Sequence, residues 1–106
     1  MTPAAGPVVV VDTGGAEGRA ALAAGRAAAD ERGMPLVVVQ AAIVPTAAAD
    51  RVVDPDEPGA ISAAIRDASL VVVGLRQREG AARFVLATPA MRVVLGSEAP
   101  VLVARP

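Results

Sequence analysis

The chain has 106 residues and a mass of 10.5 kDa, the size of one domain that buries about two-thirds of its unfolded surface. Its apolar fraction of 54% comes from 25 Ala and 18 Val against one Phe and no Trp or Tyr, so the predicted core is made of small and β-branched side chains. Ten Arg against eleven Asp plus Glu leave a net charge of −1, without the basic footprint of a nucleic-acid binder, and nucleic acid is not an expected partner.

The chain has no Cys, His or Lys. This excludes a disulfide framework, thiolate or imidazole metal sites, a Cys nucleophile and a Ser-His-Asp arrangement. It also excludes Schiff-base chemistry and the lysine of a P-loop. The opening MTPAAGP carries no basic segment or apolar run of the secretory kind, and no stretch reaches the length of a membrane span. A cytoplasmic protein without membrane contact is therefore expected. Residues 1–106 read as a single domain, with 1–6 as a flexible lead and 41–57 as a shortened loop region.

In chain order, Val8 to Val11 is a wholly apolar run ended by Asp12, Thr13, Gly14 and Gly15, and predicts a buried strand. Residues 17–32, EGRAALAAGRAAADER, predict a helix with Glu17 in its first turn, Arg32 in its last and Gly33 as its C-terminal cap. Gly18, Ala21, Leu22, Gly25, Ala28 and Ala29 form a stripe almost without bulk on this helix. Such a stripe either receives a partner helix or lies close against a sheet, and close helix-to-sheet packing is the more ordinary use. Leu36 to Val39 is the second apolar run, and two buried strands around one helix make a right-handed parallel βαβ unit.

The stretch from 41 to 57 shows no clean period and carries two Pro, so it predicts loop, with Val52 and Val53 as a short edge strand. Behind Asp56 and Glu57, Pro58 opens a short amphipathic helix with Ile61, Ala64, Ile65 and Ala68 on one face. Leu70 to Val73 is the third apolar strand, ending at Gly74. After an Arg-containing segment, Thr88 and Pro89 supply the N-cap and first turn of a helix closed by Gly96, with Met91, Val94 and Leu95 as its expected buried face. Val101 to Val103 is the last strand. The fold class that follows is α/β, a parallel doubly wound sheet of four to five strands with helices on both faces. In such sheets ligands bind beyond the carboxyl ends of the strands, where Asp12 and Gly74 fall.

At this point a family resemblance is visible. VVVVDTGGAEGRAALAAGRAAADERGMPLVVVQA resembles the opening of a universal stress protein domain, and DASLVVVGLRQREGAARFVLATPAMRVVLGSEAPVLVARP resembles its closing half. The resemblance implies an adenine-nucleotide-binding-like fold with a five-stranded parallel sheet, often dimeric, whose nucleotide-binding members hold ATP. Those members carry a glycine, two residues, a second glycine, nine residues, a third glycine and then Ser or Thr. On this chain the first glycine matches Gly74 and the hydroxyl matches Thr88, but the second and third glycines are replaced by Gln77 and Ala87. Asp12 matches the family's acidic residue near the ribose. The first loop, Thr13-Gly14 in place of Gly-Ser, is an approximate match, and the middle of the domain is shortened.

Glycine lets backbone N–H groups approach phosphate oxygens with no Cβ in the way. Wherever Gln77 or Ala87 stands at a position that needs a glycine-only conformation, the strain is about 1–3 kcal/mol, one to two decades of affinity. Arg76, Arg78 and Arg83 either add positive charge to this loop or form an ordinary solvated face. The candidate nucleotide-site residues are thus Asp12, Gly74, Gln77, Ala87 and Thr88, with ATP as a possible but weakened ligand. The carboxylates Asp12, Asp54, Asp56 and Glu57 lack a base or metal partner, so catalysis is not expected. The resemblance implies a stress-response or regulatory module that forms a homodimer through Val101 to Val103, with weak or lost ATP binding. The alternative is an ATP-binding, nucleotide-dependent switch.

Overall fold

Four runs of valine and leucine decide the architecture, because each is long enough to cross a small domain and apolar on both faces. In a computed structural model, which describes residues 6–41, 49–57, 59–77, 84–85 and 88–106, they become β1 (Val8–Asp12), β2 (Leu36–Gln40), β4 (Leu70–Gly74) and β7 (Val101–Ala104). With β3 (Arg51–Val52) they form one sheet in the order β3-β2-β1-β4-β7, every pair parallel. The order reverses between β1 and β4, so the topological switch point lies at their carboxyl ends.

Each strand feeds a different layer on each face. Val8, Val10, Leu70 and Val72 point to one side and pack with Ala21 and Ala29 of α1 (Gly15–Arg32). Val9, Val11, Val39, Val71 and Val73 point to the other and pack with Ile61 and Ile65, in and just after α2 (Ala60–Ala64), and with Ala90 and Val93 of α3 (Thr88–Gly96). The core is thus the double-sided valine sheet itself.

The small-residue stripe of α1 lies on the sheet. A Cβ at Gly25 would stand 2.1 Å from Val10 Cγ2, and one at Gly18 would stand 2.0 Å from Asp12 Oδ1. Gly33 closes the helix in the left-handed conformation at φ 64°, its N–H donating back to Asp30, as the sequence predicts.

The loop after β2 returns to the sheet as β3, which is only two residues long and is held by side chains. Asp50 Oδ2 accepts from Val38 N at 2.8 Å, and Arg51 donates to both carboxylate oxygens of Asp67 at 3.0 Å and to the Ala64 carbonyl at 2.6 Å. The fifth strand is therefore Arg51–Val52, one residue earlier than Val52 and Val53 suggest. The short helix is α2; Pro58 lies outside the described residues.

One expectation fails. Met91, Val94 and Leu95 do not form the buried face of α3: Met91 is 42% and Leu95 79% exposed, while Ala90 and Val93 are fully buried. The helix turns its smaller residues to the sheet because it crosses α2 closely, a Cβ on Gly96 lying 3.1 Å from Ser62 Oγ.

Candidate functional site

Between β4 and α3 the chain forms a two-stranded antiparallel ribbon, β5 (Arg76–Gln77) and β6 (Phe84–Val85), with Arg76 opposite Val85 and Gln77 opposite Phe84. α3 begins at Thr88. Gln77 has an ordinary extended backbone, since among the described residues only glycines have positive φ. The conformational-strain argument therefore does not apply at position 77. Ala87, Arg78 and Arg83, and the side chains of Gln77 and Thr88, lie outside the described residues.

Asp12 ends β1 at the switch point. Its Oδ1 accepts from Gly14 N at 2.8 Å, closing a tight turn into α1, and its carboxylate rests on Gly18. Gly14 is the N-cap at φ 91°, ψ 168°, a conformation open essentially to glycine alone, and no side chain caps the helix. Gly74 ends β4 fully enclosed, but for a reason the motif does not suggest. A Cβ there would lie 2.1 Å from the Glu17 carbonyl oxygen and 2.7 Å from its carbon, so Gly74 is glycine because the first turn of α1 presses on it.

Sequence reasoning missed Glu17 as a site residue. Its side chain is 7% exposed, and its Oε1 accepts from Arg76 Nε at 2.6 Å, a charge-assisted bond. Its Oε2 is buried without a hydrogen-bond partner among the described residues, as is Thr13 Oγ1. An acidic residue in a first helical turn reads as dipole compensation; only the approach of Gly74, fifty-seven positions later in sequence, shows that it is enclosed. The arrangement at the carboxyl ends of β1 and β4 is thus Asp12, Thr13, Gly14, Glu17, Gly74 and Arg76. Clefts of about 450 Å³ and 400 Å³ lie elsewhere, beside α2 and α3. Asp54, Asp56 and Glu57 make a separate turn in which Asp54 Oδ1 accepts from Asp56 N at 2.9 Å, in keeping with a structural use. No group of His, Cys, Asp or Glu able to hold a metal occurs among the described residues.

Residues 40–105 match the model of the universal stress protein family, which is more than half of the chain. The chain belongs to the universal stress protein family. The match takes in β4, the ribbon, α3 and β7, where the resemblance of the residues is most specific. The solved structure of a universal stress protein from Archaeoglobus fulgidus is similar with a TM-score of 0.68 and 20% identity, over 92% of this chain and 97% of that one. That likeness shows the fold and extends it over the first βαβ unit. No curated protein matches the chain in sequence. As a universal stress protein domain it retains the five-stranded parallel sheet with a short β3, and no helix among its described residues is long and apolar enough to cross a membrane.

Proposed function

We propose that this universal stress protein domain is a homodimeric stress-response or regulatory module, without catalytic activity of its own and with weak or lost ATP binding. One observation carries the ligand part: the Glu17 carboxylate is enclosed at the switch point, its backbone against Gly74 and its Oε1 on Arg76. In a doubly wound sheet ligands bind at this switch point, and here a buried carboxylate paired with Arg76 stands beside it. Asp12 is engaged with Gly14, and Gln77 stands where the family's nucleotide-binding members carry a glycine.

The dimer reading rests on β7, which is an edge strand of the sheet with Leu102 41% and Val103 38% exposed. Unpaired backbone groups on such an edge invite a strand from a second copy. Cytoplasmic placement accompanies this reading.

Isothermal titration with ATP and magnesium tests the ligand part. The expected dissociation constant is about 100 μM or weaker, two decades above a low-micromolar site, which corresponds to about 2.7 kcal/mol. Low-micromolar affinity would overturn weak binding and favour the nucleotide-dependent switch.

A further inference from the structure

The α2 and α3 layer carries apolar surface that nothing among the described residues covers. Met91, Val94 and Leu95 stand at i, i+3 and i+4 on α3 and are all exposed, so a stripe of the kind that ordinarily meets a core faces outward. Beside it lies the cleft of about 400 Å³, walled by Ile61 and Leu95 and bordered by Asp56, Glu57, Ser62 and Arg92. Its volume falls within the range of natural binding clefts, and it shares no residue with the switch point. Ile61 is buried at its base while Leu95 is the most exposed large apolar side chain among the described residues.

The charges on its border select the occupant. Asp56 N and Glu57 N both donate to Asp54, which fixes the turn, yet the Asp56 and Glu57 carboxylates are exposed and make no hydrogen bond or ion pair among the described residues. Arg92, the cation on the cleft's border, instead donates Nη1 to the Pro55 carbonyl and pairs with neither carboxylate. Two uncompensated carboxylates beside an apolar wall disfavour a nucleic-acid backbone or an anionic lipid surface, which bring negative charge, and attract a cationic partner. A second copy meeting this face with its own would set like-charged borders together. An amphipathic helix with Lys or Arg beside its apolar stripe answers both features at once. We propose that the cleft between α2 and α3 is a docking site for a basic amphipathic peptide segment of a partner protein, with Ile61 and Leu95 receiving its apolar anchor and Asp56 and Glu57 its cationic side chains.

Fluorescence anisotropy with three labelled synthetic peptides tests the proposal on the full chain. The probes are a repeat of Leu-Leu-Lys-Lys, the same repeat with Glu in place of Lys, and the same repeat with Gly in place of Leu. The first is expected to bind at least tenfold more tightly than either of the others. Leu95→Ser is expected to weaken it at least fivefold, as is the pair Asp56→Asn and Glu57→Gln, and the loss from the charge pair should shrink in high salt. The matching pair Asp30→Asn and Glu31→Gln, exposed on α1 across the sheet, should leave the affinity unchanged. All these positions except Asp56 and Glu57 lie on regular helices and every one is exposed, and far-UV circular dichroism confirms that each variant is folded. No binding of the first peptide up to about 1 mM, equal binding of the Glu repeat, or an affinity indifferent to Leu95→Ser or to the charge pair overturns the proposal. So does an association of the chain with itself, or with phosphatidylserine vesicles, that Leu95→Ser abolishes, since either result gives the face to a different occupant.

Discussion

Gly74→Ala separates a structural glycine from a ligand-cradling one. The new methyl group would sit 2.1 Å from the Glu17 carbonyl oxygen, whereas ordinary contacts begin near about 3.5 Å, so strand and helix must part by more than an ångström. Neither can yield cheaply: β4 is central in the sheet, bonded to β1 and β7, and α1 is pinned by Gly25 on Val10. Overpacking of this kind costs about 1–3 kcal/mol, and two rigid backbones place this case near the upper end. For a domain of this length about 3 kcal/mol corresponds to a fall of about 12–14 °C in Tm. Gly33→Ala is the control, since a Cβ there meets nothing within 4 Å and only its left-handed φ of 64° is disturbed, at a cost of about 1 kcal/mol. Thermal melts followed by far-UV circular dichroism read both, the chain having no Trp or Tyr. A fall below about 4 °C for Gly74→Ala, or one no larger than that of Gly33→Ala, would refute the argument from close approach.

Two further outcomes are expected. Light scattering at tens of micromolar should give the mass of a dimer, and Leu102→Lys together with Val103→Glu on the edge strand should return it to a monomer; a monomeric wild type would refute pairing through β7. Asp67, hydrogen-bonded to Arg51, has its carboxyl held below the ordinary value of 3.8, chiefly by that bond. A depressed folded-state value means stability that is present above the unfolded carboxyl range and is lost as pH falls through the folded value. Because the pair is substantially exposed, Asp67→Asn should cost no more than about 1 kcal/mol at pH 7. In urea melts this difference should shrink as the pH falls below about 4; a difference that stays constant down to pH 3 would remove the ion pair as its cause.

The sheet was legible because each apolar run is both uniform and short, which leaves a doubly buried strand as its simplest use. Gly33, the stripe from Gly18 to Ala29, and the Thr88 to Gly96 helix were legible for similarly local reasons: caps and small residues act within a turn or two. The face of α3 was not. With Ala90, Met91, Val93, Val94 and Leu95 all apolar, helical spacing cannot say which stripe turns inward, and the decision falls to a crossing at Gly96 and Ser62 made by another part of the chain. Arg51–Val52 was only half legible, because its pairing depends on Asp50 and on Asp67, sixteen positions away from Arg51. At the site, Asp12 and Gly74 were found through their place at strand ends. Glu17 was not, since its enclosure follows from two glycines on different elements.

The two sides of the sheet differ in how much growth they tolerate. Beneath α1 the layers are in contact at glycine, with Val10 against Gly25, so an added methylene has nowhere to go without lifting the whole helix. On the opposite side the layer is made by two shorter helices, and α3 already carries Met91, Val94 and Leu95 at the surface, so it can rotate or slide to admit bulk. Volume-changing substitutions should therefore accumulate on the α2 and α3 side during divergence or engineering, while the α1 side keeps its dimensions and, with them, the spacing between Asp12 and Gly74.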